Sequence, residues 1–246
     1  MGWLSKIILN GVEMLIKDSY ARTELEKFAG LWNGKTGETN YHVSPSGSDE
    51  TGDGSEEAPF ATIQHAYDTA IAYAMTNHNA ITLFIHAGEY YENVSIGSTF
   101  KANRVIIDLL GNVGLHGSFV VTNTRVEIVG RTDNEALTIY GDISTQNIHG
   151  NSLVVCVEFG ELLWNSKGSL IGPSGVTAVE QAILVENMSR FYQGYKTYIR
   201  GNYVYNIINV YRSDANLNSD VTAASAPAVL HSEYSTVFSL DPSVTG

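Results

Sequence analysis

Four acidic residues, Asp108, Glu127, Asp142 and Glu158, fall in or beside successive β-rich runs. Carboxylates in pairs do the acid–base work of glycoside hydrolysis, and their separation sets the stereochemistry. Alternation along strands can line the four up on one outer face, which is equally how a plain solvated face reads. Arg104, Arg125 and Arg131 flank the same runs, where ordinary surface charge explains them as well as a site does. No catalytic set stands out, so the catalytic residues are left unassigned.

Asp49-Glu50-Thr51-Gly52-Asp53-Gly54 has the glycine of an EF-hand loop at its sixth position, but Phe60 occupies the twelfth, where a bidentate Glu belongs. It reads better as a polar turn. The seven histidines are scattered, without HxH or HExxH spacing, so no metal site is expected. No P-loop, dinucleotide fingerprint or GxSxG elbow appears, so no cofactor is expected either. Cys156, the single cysteine, lies in Leu153-Val154-Val155-Cys156-Val157. A buried, inert thiol fits that setting, since a nucleophilic thiol needs electropositive and accessible surroundings.

Seven of the 14 tyrosines cluster late in the chain: Tyr192, Tyr195, Tyr198, Tyr203, Tyr205, Tyr211 and Tyr234. The first five are candidate carbohydrate-binding residues, because a tyrosine ring offers an apolar face to a sugar and a polar tip to its hydroxyls. Packing inside the fold or between subunits is the alternative.

These residues need elements to hold them. Short β-rich runs recur at 81–85, 105–109, 126–129, 137–139, 153–159, 183–185 and 203–210, and Gly111, Gly130, Gly141 and Gly160 close several of them. The clearest runs lie roughly 20 to 27 residues apart, the length of one coil of a solenoid. An antiparallel sandwich also gives short alternating strands, but with turns about every 8 to 12 residues. In Val105-Ile106-Ile107-Asp108-Leu109, alternation turns Val105, Ile107 and Leu109 inward and Asp108 outward. Thr62 can cap a helix whose apolar stripe is Ile63, Ala66, Tyr67, Ala70, Ile71 and Ala74, with Gln64, His65, Asp68 and Thr69 on its other side.

Residues 1 to 40 differ from the rest. Asn10-Gly11 between two apolar runs is a strong hairpin signal. Asp18 can then cap a helix from about Ser19 to Phe28, in which Ala21, Leu25, Phe28 and Trp32 form a short a/d seam. Such a seam suits self-association, and equally an ordinary helix packed on the main domain. Asn33 to Gly37 read as a linker.

Composition narrows the partners. A formal net charge of −12 argues against duplex nucleic acid. No apolar run approaches the ~20 residues of a membrane helix. The interrupted N-terminal stretch lacks the form of a secretion signal.

Tyr41-His42-Val43-Ser44-Pro45-Ser46-Gly47-Ser48-Asp49, then Gly52-Asp53-Gly54, Ala58-Pro59-Phe60-Ala61-Thr62-Ile63-Gln64-His65-Ala66 and Ile85-His86-Ala87-Gly88-Glu89-Tyr90-Tyr91-Glu92, resemble the opening of pectate-lyase-like β-helix proteins. The resemblance implies an all-β fold: a right-handed, single-stranded parallel β-helix over 41–212, with a capping helix at about 62–76 that closes its open end. Residues 1–40 would form an attachment or oligomerisation arm, and 213–246 a C-terminal cap or extended arm. Lyases of that family hold calcium on clustered acids and use a basic residue to abstract a proton; neither set is identifiable in this sequence. The arm around Asn10-Gly11 and Ile16 to Arg22 also resembles the start of tail-fibre and baseplate-associated proteins of phages infecting Gram-positive bacteria. That second resemblance implies a homotrimeric virion protein that contacts other tail proteins through residues 1–40 and binds a host surface glycan. A polysaccharide depolymerase, lyase or hydrolase, is the alternative on the same fold.

Overall fold

The computed structural model describes residues 6–9, 12–15, 39–73, 79–97, 102–141, 153–171, 181–201, 208–223, 229–231 and 235–239. The chain divides into two compact units, Met1–Gly37 and Glu38–Gly246. In the first, β1 (Lys6–Leu9) pairs antiparallel with β2 (Val12–Leu15), and Leu9 faces Val12 across the expected Asn10-Gly11 turn. The expected helix over 19–28 and the seam Ala21, Leu25, Phe28 and Trp32 lie outside the described residues.

The second unit is built mostly of β-strands, with one helix among its described residues. It opens with β3 (Thr39–Val43), α1 (Ile63–Tyr73), β4 (Asn79–Tyr90), β5 (Val94–Gly97) and β6 (Ala102–His116). There follow β7 (Phe119–Thr122), β8 (Arg125–Val129), β9 (Ala136–Tyr140), β10 (Leu153–Glu158), β11 (Glu161–Asn165) and β12 (Lys167–Ile171). Next come β13 (Gln181–Glu186), β14 (Arg190–Gln193), β15 (Thr197–Gly201), β16 (Ile208–Tyr211), β17 (Asp214–Leu217) and β18 (Ser219–Ala223). The described chain ends with β19 (Val229–His231) and β20 (Thr236–Ser239).

Every strand from β7 to β17 pairs in parallel with the strand three places further on. This produces one six-stranded parallel sheet, in the order β19-β16-β13-β10-β7-β5. The remaining strands form a twelve-stranded sheet that runs β18-β15-β12-β9-β6-β8-β11-β14-β17-β20, with β4 on β6 and β3 on β4. The antiparallel sandwich left open by strand spacing is not what these pairings make.

The long strand β6 serves two ladders. Val105–Asp108 pair with β8, and Val113–His116 pair with β9. Between them Gly111 has φ +143°, and Gly88 on the neighbouring β4 has φ +144°, at a register shift. A side chain would be strained at either φ, so these glycines let both long strands change direction together. Gly111, read from sequence as a strand end, is therefore a bend inside a strand.

Alternation supplies the core. Ile81, Val105, Val126, Leu162, Phe191 and Ala215 lie side by side on six successive strands, and each is buried. Ile96, Val121, Val157, Val185 and Val210 make a second such row in the other sheet. Burying each of these aliphatic side chains contributes about 1.5–3 kcal/mol. The inward positions expected for Val105, Ile107 and Leu109 hold.

Helix α1 starts after Thr62 as read, and packs against β3, β4 and β5, the first strands of both sheets. Thr62 Oγ1 accepts the His65 amide at 3.2 Å. Asp49 accepts the amides of Ala61 (2.8 Å) and Thr62 (3.1 Å) and the Thr62 hydroxyl (2.7 Å). Glu92 accepts those of Ile63 (2.8 Å) and Gln64 (2.9 Å). Carboxylates at a helix N-terminus meet its unpaired N–H groups and its positive dipole end. Burial nonetheless pushes the Glu92 carboxyl above its ordinary range.

The strand borders beneath α1 are also occupied. Gln64 accepts from Ser95 N (2.7 Å) and donates to Ser95 O (3.2 Å), and the Tyr67 hydroxyl does the same at Gly97. Burial pushes the Tyr67 phenol up to about 12. On β3, residues 54–60 run alongside: His42 N donates to Gly54 O (2.8 Å) and Phe60 N to His42 O (3.0 Å). Gln64, assigned by periodicity to the polar side of the helix, thus pairs with a strand edge.

Candidate functional site

The four acidic residues read from sequence do not share a face. Asp108 on β6 and Glu127 on β8 lie on neighbouring strands of the larger sheet, Glu158 is on the six-stranded sheet, and Asp142 lies outside the described residues. Asp108 was expected to face solvent, but its side chain is only 4% exposed, and Arg131 Nη2 stands 2.6 Å from its Oδ2. Alternation correctly turns it away from the core; the guanidinium then covers it. Arg104 pairs with Glu127 (3.6 Å) and Arg125 with Glu161 (3.4 Å). Each of the three arginines is therefore held by a carboxylate.

Asp49, first residue of the EF-hand-like loop, gives both its oxygens to the entry of α1, which makes that loop the polar turn ahead of a capped helix. Cys156 is buried beside Leu184 and Val120, apart from the main core. Burial, with Glu186 and Glu158 nearby, pushes its thiol up to about 12, so it stays protonated.

The tyrosines are at the surface where the structure describes them. Tyr192, Tyr195 and Tyr198 are 44%, 48% and 41% exposed, whereas Tyr203 and Tyr205 lie outside the described residues. Arg200 Cζ sits 5.6 Å and Lys196 Nζ 6.0 Å from the centre of the Tyr198 ring, a cation–π arrangement. Tyr198 occupies a row that register defines across the outer face: Glu89, Gly114, Thr138, Ser169, Tyr198 and Asp220. Between Glu89 and Tyr198 this row holds only a glycine and two hydroxyl residues, so it forms a shallow polar trough.

A second aromatic group borders that trough, and the sequence reading missed it. The His116 ring stacks between Tyr91 and Tyr140, with both centroid separations at 4.4 Å and interplanar angles of 10° and 8°. His116 Nε2 and Glu89 Oε2 are 2.7 Å apart. The Glu89 carboxylate reaches that ring by crossing Gly114, where a β-carbon would collide with it. Tyr91, at the open end of the stack, is 78% exposed. The arrangement offers a flat aromatic face, a carboxylate–imidazole pair able to accept or donate protons, and hydroxyls at Thr138 and Ser169. Its signal in the sequence was an aromatic-type residue recurring once per strand repeat at 91, 116 and 140, with no local motif around 116 or 140.

A further titratable pair lies at β3 and β4. His42 Nδ1 and His86 Nε2 are 3.1 Å apart, and His42 stacks on Phe84 with 4.8 Å between centroids. Burial and then His86 hold the His42 pKa below its ordinary value, against the pull of Glu56 and Glu57. Among the described residues no group of three or more His, Cys, Asp or Glu is placed to hold a metal ion, and no helix is long and apolar enough to cross a membrane. No family model, curated protein or solved structure matches this chain.

Proposed function

We propose that this chain is a phage tail protein, of the tailspike or tail-fibre kind, that binds a host surface glycan along its aromatic outer face. The observation that carries the reading is the Tyr91–His116–Tyr140 stack beside the Glu89-to-Tyr198 trough, an exposed aromatic and hydroxyl-lined strip on a rigid parallel sheet. Aromatic faces with neighbouring polar groups suit sugar rings, whose two sides are apolar and whose rims are hydroxylated. Tyr198 ends the strip, and Tyr192, Tyr195, Tyr203 and Tyr205 belong to the same sequence cluster. In this reading the parallel ladders are turns of a right-handed β-helix of the pectate-lyase-like kind, closed at its first turn by α1. The three-strand period of the pairing and the position of α1 over β3, β4 and β5 support it. Residues 1–40 would attach the subunit to other tail proteins and hold three copies together through Ala21, Leu25, Phe28 and Trp32.

Titration of the full chain with envelope polysaccharides of Gram-positive bacteria tests the glycan reading. Binding that Tyr91→Ala and Tyr198→Ala each weaken about tenfold is the expected result. Equal affinity in both variants, or no binding to any such glycan, would remove its support.

Depolymerase activity is the second reading, favoured by the carboxylate–imidazole pair Glu89–His116 in the same strip. New reducing ends or unsaturated products that vanish in His116→Gln would establish it, and intact polymer after prolonged incubation would count against it.

A further inference from the structure

We propose that the corner joining the six-stranded sheet to β8, β11, β14 and β17 is a contact surface for a second copy of this chain, docked antiparallel about a two-fold axis. The inference does not depend on the glycan or virion reading.

The turns of this corner repeat a left-handed backbone at Asn123, Phe159, Asn187, Met188 and Arg212, and two of these residues are bulky and apolar. Phe159, between β10 and β11, has φ +51°, and Met188, between β13 and β14, has φ +62°. Bulky residues rarely take that conformation, although Gly160 stands next to Phe159 and could have taken it without strain. Far from being hidden in return, Phe159 is 50% and Met188 80% exposed, and they flank an open groove of about 410 Å³ over Gly160. Two apolar side chains presented to solvent side by side at such turns point to a contact site.

Charge says what the contact is. Register places Arg125, Glu161, Arg190 and Asp214 side by side on β8, β11, β14 and β17. Their signs alternate, at the ~4.8 Å spacing of adjacent strands. A two-fold rotation between Glu161 and Arg190 reverses the row, so that Arg125 meets Asp214 of the second copy and Glu161 meets its Arg190. Every position then faces its opposite. The same rotation sets Phe159 against Met188 of the other copy, a favourable sulfur–aromatic contact. Arg190 and Asp214 are free to engage: both are exposed, and among the described residues neither has an ion-pair partner although they are neighbours in register. A different macromolecule or a saccharide has no reason to match a row that is complementary to its own reverse.

The contact spans four strands, well short of the roughly 20–30 residues a side of a stable interface, so the pairing is weak and concentration-dependent. Sedimentation of the full chain across a wide concentration range reads it. Arg190→Glu should weaken pairing by about tenfold or more, as should Glu161→Arg. Combining the two swaps, which restores opposite signs across the axis, should return the pairing constant to within about threefold of the original. Phe159→Asn and Met188→Asn, which suit the left-handed backbone, should weaken pairing while the unfolding temperature holds or rises. Circular dichroism confirms that each variant is folded.

The stoichiometry separates this contact from self-association through residues 21–32. The corner doubles the mass and is lost in Arg190→Glu; the seam multiplies it by three and is not. An unmodified chain that never doubles, single swaps without effect, or a double swap without recovery overturns the proposal.

Discussion

The end of the second unit covered by α1 and the ladder from β10 to β20 solve the same problem differently. Under α1, named backbone groups have individual partners: Gln64 serves Ser95, Tyr67 serves Gly97, residues 54–60 serve β3, and Asp49 and Glu92 serve the helix entry. In the ladder, each strand is served by the next, most side chains alternate and fill the space, and individual partners such as Ser189 for Gly160 and Gln193 for Asn218 occur at the turns. One region is specified mainly by identity and the other mainly by pattern. That is why the first carries a recognisable motif while the second reads as a succession of aliphatic runs.

The ladder should nevertheless be the more costly place to remove bulk. Leu162→Ala, at the centre of the buried row from Ile81 to Ala215, should lower unfolding free energy by about 3 kcal/mol in urea titration, whereas Leu162→Ile should cost under about 1.5 kcal/mol. A large loss from the isomeric exchange would show that the ladder, too, depends on identity.

At the covered end the ranking by shape should fail. Asp49→Ala removes the acceptor for Ala61, Thr62 and the Thr62 hydroxyl, and should cost about 2 kcal/mol although it leaves no apolar cavity. Gln64→Ala should cost about 1 kcal/mol, because water can reach the Ser95 groups it uncovers. It should also speed hydrogen exchange at Ser95 while leaving Val157 and Val185 protected. Uniform acceleration in both sheets would mean that the end and the ladder open as one.

The smallest effect expected is pH-dependent. Because the His42 pKa is lowered in the fold, its contribution is complete above the ordinary value of 6.5 and is lost as pH falls through the lower, folded value. Stability measured from pH 7 down to 5 should therefore fall less steeply in His42→Gln than in the unaltered chain. Parallel pH profiles would assign the slope to other groups.

The sequence disclosed what depends on local spacing. The stripe of α1 from Ile63 to Ile71 (its expected end at Ala74 lies outside the described residues) and its Thr62 cap, the alternation in Val105 to Leu109 and the buried Cys156 all follow from neighbours along the chain. Asp108 shows the limit, since alternation gives the side of a strand on which a residue stands but not whether an arginine from a later loop will cover it. Gly111 was taken as an end because glycine interrupts strands, yet here it bends one that continues to His116. The Tyr91–His116–Tyr140 stack exists only through register between β4, β6 and β9, information that no stretch of a single strand contains. The late tyrosine cluster was visible as composition, but the place of Tyr198 in the outer row again depended on register.

The pairing of Gln64 and Tyr67 with β5 has a directional result. Ser95 and Gly97 have already committed their outward amide and carbonyl groups, so no additional parallel strand can zip onto that border. Lengthening at that border, whether by duplicated segments during evolution or by recruitment of foreign chain in misassembly, would first have to displace α1. The sheet is in this sense a lattice with one blocked face.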